Sequence, residues 1–118
     1  MEDLIKAAQQ LKQRVQSLES ALSHEEKEAR FKTLNGQMAH PKFWEDRFHA
    51  QAVARESAQL EKWLTGWRDL ERRLEDVLSI ASDDQDDHRV TLRPELEKEI
   101  RVIERVLAAR EVELLLSE

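Results

Sequence analysis

The sequence has no cysteine and no tyrosine, and only two glycines and two prolines in 118 residues. Without cysteine there are no disulfides, thiolate metal ligands or thiol nucleophiles, and the chain needs no oxidising compartment. So few backbone punctuators leave little means of turning often, which favours long helices over a sheet with many turns. Two glycines cannot supply a glycine-rich phosphate loop, and no serine sits in a G-x-S-x-G elbow. A membrane helix needs about 20 consecutive apolar residues, and no run approaches that. The opening Met1-Glu2-Asp3-Leu4 carries acids where a secretory leader needs positive charge, so the expected location is the cytoplasm.

What the chain has in quantity is charge. Charged residues make up 37% of it, 25 acidic against 19 basic, for a formal net charge of −6. The two signs are interspersed, so no basic tract gives the counterion-release footprint of a nucleic-acid binder. Sequence-specific nucleic-acid binding and membrane binding are both excluded as expectations. At 13.9 kDa the chain has room for one domain with a modest core.

The apolar residues fall on helical spacings. Leu4, Ala8, Leu11, Val15, Leu18 and Leu22 advance by fours and threes, one stripe on a helix over about 3–22. Ser23 and Glu26 form an S-x-x-E capping box, which predicts a second helix over about 24–39 with Phe31, Leu34 and Met38 turned inward. Asn35-Gly36 weakens that helix and Pro41 ends it, because the residue before a proline is pushed out of helical geometry. The connector Pro41-Lys42-Phe43-Trp44-Glu45-Asp46 should fold Phe43, Trp44 and the following Phe48 back onto the core.

From Asp46 to about residue 81 only Gly66 interrupts a helical pattern, and Leu60, Trp63, Trp67, Leu70, Leu74 and Val77 again alternate by three and four. This predicts one long central helix of roughly 50 Å. Clustered acids from Asp83 to Asp87 read as a mobile loop. A last helix over about 92–116 starts near Pro94 and carries Leu96, Ile100, Ile103, Leu107 and Leu114, with Arg110 interrupting and Val102, Val106 and Ala109 widening the stripe. The expected fold is all-α, an antiparallel, coiled-coil-like bundle of three to four helices. Its predicted core is Leu34, Phe43, Trp44, Leu60, Trp63, Trp67, Leu70, Leu74, Ile100, Ile103 and Leu107. The uncapped Leu114-Leu115-Leu116 reads as a surface that the bundle or a following domain covers.

Catalytic and ligand motifs are each outweighed by a plainer reading. His24-Glu25 opens like a zincin signature, but Glu28 stands where the second histidine belongs. His40, Glu45, Asp46 and His49 are close in sequence without a defined ligand geometry, and Asp83, Asp84, Asp86 and Asp87 lack the glycine and closing glutamate of a calcium loop. Trp63 and Trp67 lie one turn apart with no flanking basic groove, which favours core packing over base stacking. No metal, cofactor or catalytic residue is expected.

The order Leu34, Pro41-Lys42-Phe43-Trp44-Glu45-Asp46, Ala50-Gln51, Leu60 and Leu70-Glu71 through Leu74-Glu75-Asp76 resembles the N-terminal domain of bacterial peptide chain release factor 2. The P-x-F-W-x-D segment carries most of that resemblance, which runs from about Ser23 onward. The stretch from Ser79 to His88 departs from the family's leucine- and glutamate-rich pattern. The resemblance implies one non-catalytic helical N-terminal domain spanning 1–118. It also implies a part in translation termination, with the ribosomal large-subunit stalk base and the GTPase release factor as partners. Codon reading and Gly-Gly-Gln peptidyl-tRNA hydrolysis belong to domains outside this sequence. Asn35-Gly36-Gln37 lacks the first glycine and lies in a helical pattern. A monomer is expected, and a self-associating coiled-coil scaffold is the alternative that the heptad spacing leaves open.

Overall fold

The computed structural model describes residues 1–83 and 91–117. They form four α-helices, α1 (Glu2–Ala21), α2 (His24–Met38), α3 (Arg47–Ser82) and α4 (Arg93–Ser117), with a 3-10 turn at Phe43–Glu45. No strand occurs among the described residues, so the fold is an all-α bundle. Most of the acidic stretch, 84–87, lies outside the described residues.

The residues cluster into two compact units, Met1–Leu22 with Asp69–Glu118, and Ser23–Arg68. In the first, α1 buries Leu4, Ala8, Leu11, Val15 and Leu18, and α4 buries Leu96, Ile100, Ile103 and Leu107. Ion pairs along these helices fix their directions. Arg93 at the start of α4 pairs with Asp3 at the start of α1, and Arg14 pairs further along with Glu104 and Glu111, so α1 and α4 run parallel. The last part of α3 is tied to α1 by Lys12–Glu75 (2.9 Å) and to α4 by Arg73–Glu99. On α4, Val102 and Val106 are half-buried at the side of the core stripe, while Ala109 is exposed.

In the second unit, α2 runs antiparallel to the first part of α3. Lys27 and His24 lie against Trp63, while Arg30 forks onto Glu56 (2.7 and 3.0 Å). Leu34, Phe43, Ala50 and Val53 form an apolar cluster at the other end, with Met38 and Leu60 packed on it. Phe31 is half-buried.

The buried stripe of α3 is Ala50, Val53, Ser57, Leu64, Trp67, Leu70, Leu74, Val77 and Ala81. With half-buried Leu60 it keeps strict three-four alternation up to Trp67. It then takes a second consecutive step of three to Leu70, an insertion that shifts the phase of the stripe. The break falls where the two units divide, between Arg68 and Asp69.

Three expectations need correction. Leu60 and Trp63 are half-buried, and the core position between Leu60 and Trp67 belongs to Leu64, 1% exposed. An indole tolerates the rim because its face can take a cation, and the Lys27 ammonium sits 4.8 Å from the Trp63 ring centroid. Trp44 is 58% exposed and Phe48 85% exposed, so neither joins Phe43 in the core. In a 3-10 turn successive side chains point about 120° apart, so seating Phe43 inward turns its neighbour out. Finally, Ser23 forms no capping box. It makes no side-chain cap hydrogen bond and adopts left-handed backbone, φ 59° and ψ 47°. Only Leu22 and Ser23 link α1 to α2, and left-handed backbone at a non-glycine is a strain of roughly 1–2 kcal/mol.

Candidate functional site

The most distinctive local chemistry is the aromatic turn at 40–49. Helix α2 closes with the Ala39 N–H on the Asn35 carbonyl and the His40 N–H on that of Gln37, both at 3.1 Å. Proline at 41 forbids further helix. The chain tightens into the 3-10 turn, held by the Phe43 N–H on the His40 carbonyl (3.1 Å) and the Glu45 N–H on that of Lys42 (3.2 Å). Asp46 then caps α3: its carboxylate accepts the His49 N–H at 3.1 Å and its carbonyl accepts that of Ala50 at 2.9 Å.

Phe43 anchors the turn from inside. Its ring meets Trp44 edge-on at 4.9 Å and 88°, and His49 at 5.8 Å and 60°. Trp44 and Phe48 stand in solvent on this fixed backbone. Beside them lies an open cleft of about 660 Å³, lined by Thr33, Gly36, Gln37, His40, Phe43 and His49 among others.

Two polar side chains of the turn are committed to its backbone. His40 Nδ1 accepts the Lys42 N–H at 3.2 Å, and Asp46 is the helix cap. No group of three metal-ligating side chains, His40, Glu45, Asp46 and His49 included, occurs among the described residues. His24 Nε2 lies 3.0 Å from Glu28 Oε1 on one face of α2. Asn35-Gly36-Gln37 is inside α2, where the Ser57 hydroxyl donates to Asn35 Oδ1 at 3.1 Å. The arrangement suits contact rather than covalent chemistry, since exposed aromatics on a rigid turn are the residues that dominate protein interfaces.

Of the eleven predicted core residues, Leu34 and Phe43 meet in the apolar cluster of one unit, and Trp67 is also buried there. Leu70, Leu74, Ile100, Ile103 and Leu107 are buried in the other. Sequence reasoning missed Leu64, the cap made by Asp46 and the buried Ser57. The signal for the cap was present, an aspartate immediately before a long helical pattern.

A family model for the PCRF domain matches residues 27–118. The chain belongs to the PCRF domain family. This PCRF domain is 27% identical over 107 residues to peptide chain release factor 2 of Neorickettsia sennetsu, covering 91% of this chain and 29% of that protein. It is 33% identical over 106 residues to peptide chain release factor 2 of Nocardia farcinica, 87% of this chain and 28% of that protein. Against the protein of the same name from Haemophilus influenzae it is 32% identical over 101 residues, 80% and 28% respectively. The chain thus spans less than a third of the length of these relatives. No solved structure matches it. No helix among the described residues is long and apolar enough to cross a membrane.

Proposed function

We propose that this PCRF domain serves translation termination as a non-catalytic docking module of a class I peptide chain release factor. It contacts the stalk-base region of the large ribosomal subunit and the GTPase release factor, in the cytoplasm and as a monomer. The family match over 27–118 carries the reading. The aromatic turn supports it, because Trp44 and Phe48 are exposed on a backbone fixed by Phe43 and Asp46. Preorganised aromatic anchors bind at low conformational cost. Peptidyl-tRNA hydrolysis is left to the rest of such a factor.

The test is competition. The domain is titrated in excess into a reconstituted termination reaction driven by a full-length peptide chain release factor 2, and the rate of peptide release is followed. Occupation of the factor's docking site slows release, and Trp44→Ala with Phe48→Ala restores it. An unchanged rate at saturating excess refutes an independent docking role, and peptide release by the domain alone refutes its non-catalytic assignment. Sedimentation across concentrations checks the monomer: a dimer that loses helicity on dissociation would favour the scaffold instead.

A further inference from the structure

Helix α4 carries two stripes at the same spacing. The inner one, Leu96, Ile100, Ile103 and Leu107, is closed in the core. The other runs through Lys98, Arg101, Arg105, Ala108, Val112 and Leu115, at steps of three, four, three, four and three, and every member is exposed. At about 100° per residue it lies on roughly the opposite side of the helix from the core. Leu116, 82% exposed, broadens its end.

Charge is sorted along and across this helix. Of the acids on this helix, Glu97 pairs with Arg93, Glu99 with Arg73, and Glu104 and Glu111 with Arg14, while Glu95 and Glu113 are exposed off the stripe. The stripe itself holds three cations and no acid, and among the described residues none of the three forms an ion pair. Its first half is therefore cationic and its second half apolar.

This polarity excludes a second copy as the occupant. Two stripes aligned in parallel would set cations against cations, and antiparallel alignment would bury cations against Val112, Leu115 and Leu116. A phosphate backbone would satisfy the cations and leave the apolar half uncovered. We propose that the outer stripe of α4 docks a helix of another protein, one that presents carboxylates along one half of its face and apolar side chains along the other. The stripe covers residues 98–115, about 26 Å of helix, so the partner segment is about 17 residues long.

The probes are synthetic 18-residue helical peptides on an Ala/Gln background. One places Glu at three successive stripe positions and Leu at the next three; a second replaces each Glu with Lys; both are made in either order. Each is titrated into the isotopically labelled chain and followed by amide NMR. The Glu–Leu peptide, in one order, shifts resonances along 98–116 and binds at least about tenfold more tightly than its Lys–Leu counterpart. Arg101→Glu with Arg105→Glu inverts that preference, and Leu115→Ser with Leu116→Ser abolishes binding. The peptide comparison uses the unmutated chain, so it stands even if a variant folds poorly. Equal affinity for both peptides, shifts confined to other residues, or no saturable binding at about 1 mM overturns the proposal. So does tighter binding of single-stranded oligouridine that depends on the arginines alone, or self-association through these residues.

Discussion

The chain has three tryptophans, and burial assigns them three different energies. Trp67 is 1% exposed, the largest of the fully buried side chains. A buried indole removes roughly 150–250 Å² from water, which at about 25 cal/mol per Å² is near 4–6 kcal/mol. Alanine recovers part of that, so Trp67→Ala costs about 3–5 kcal/mol. A domain of this size is stable by roughly 6–18 kcal/mol at about 0.05–0.15 kcal/mol per residue, so the loss is a large share of the whole. Trp63→Ala costs less, about 1–2 kcal/mol, from half the buried area and the contact with Lys27. Trp44→Ala removes mainly an edge contact with Phe43 and costs about 1 kcal/mol or less. Urea unfolding followed by far-UV circular dichroism, compared at constant slope, measures all three. A loss under about 1 kcal/mol for Trp67, or a larger loss for Trp44 than for Trp67, refutes the assignment of faces on α3 and the turn.

Other perturbations isolate single interactions. Asp46→Ala removes the cap of α3 and lowers stability by about 1 kcal/mol, with faster amide exchange at His49, whereas Asp46→Asn retains most of it. Gly36 lies within α2, and a Cβ there would meet nothing within 4 Å, so Gly36→Ala raises the urea midpoint by an amount equivalent to about 1 kcal/mol. Hydrogen bonding to Arg93 holds the Asp3 carboxyl down at about 2, and Arg30 likewise holds Glu56 below its usual range. Both are lowered on folding, so their contribution is present above the unfolded carboxylate values near 4 and is lost as pH falls through the folded ones. Acid titration of thermal stability therefore shows a decline between about pH 4 and 2 that Asp3→Asn makes shallower.

Much of this architecture is legible in the sequence because long uninterrupted periodicity leaves one way to bury the apolar residues. Scarce glycine and proline, the stop at Pro41 and the stripe from Leu96 to Leu107 are strong signals of that kind. The failures occur where two local rules compete. Trp63 and Leu64 are adjacent, and both lie at permitted spacing from Leu60 and Trp67, so periodicity alone cannot choose between them. The choice falls to chemistry, with leucine taking the dry position and tryptophan the rim beneath Lys27. At Ser23 the capping pattern is correct for a helix start in isolation, but Ser23 takes left-handed backbone in a two-residue link and makes no side-chain cap bond. For Trp44, the expectation that every aromatic of the connector folds inward meets a 3-10 turn, in which successive side chains point about 120° apart and seating Phe43 turns Trp44 out. The phase shift between Trp67 and Leu70 is hidden in the sequence, where Leu60, Trp63, Trp67 and Leu70 alternate without a break, and two consecutive steps of three appear only once Leu64 replaces Trp63 in the stripe.

Charge offers the sharpest contrast between composition and surface. A net charge of −6 predicts attraction to basic partners as a whole-molecule tendency. The folded chain redistributes that excess: acids at 97, 99, 104 and 111 of α4 turn sideways into ion pairs, while Lys98, Arg101 and Arg105 face outward together. At physiological salt the Debye length is about 8 Å, so a partner at contact distance responds mainly to the nearest cations and little to remote acids. Local sorting can therefore override net charge over the length of one helix face. The aromatic turn works by the other route, offering apolar area on a frame fixed by Phe43 and by the backbone bonds of His40 and Asp46. One small acidic chain thereby holds two surfaces of different physical kind, one whose recognition weakens with salt and one whose recognition does not.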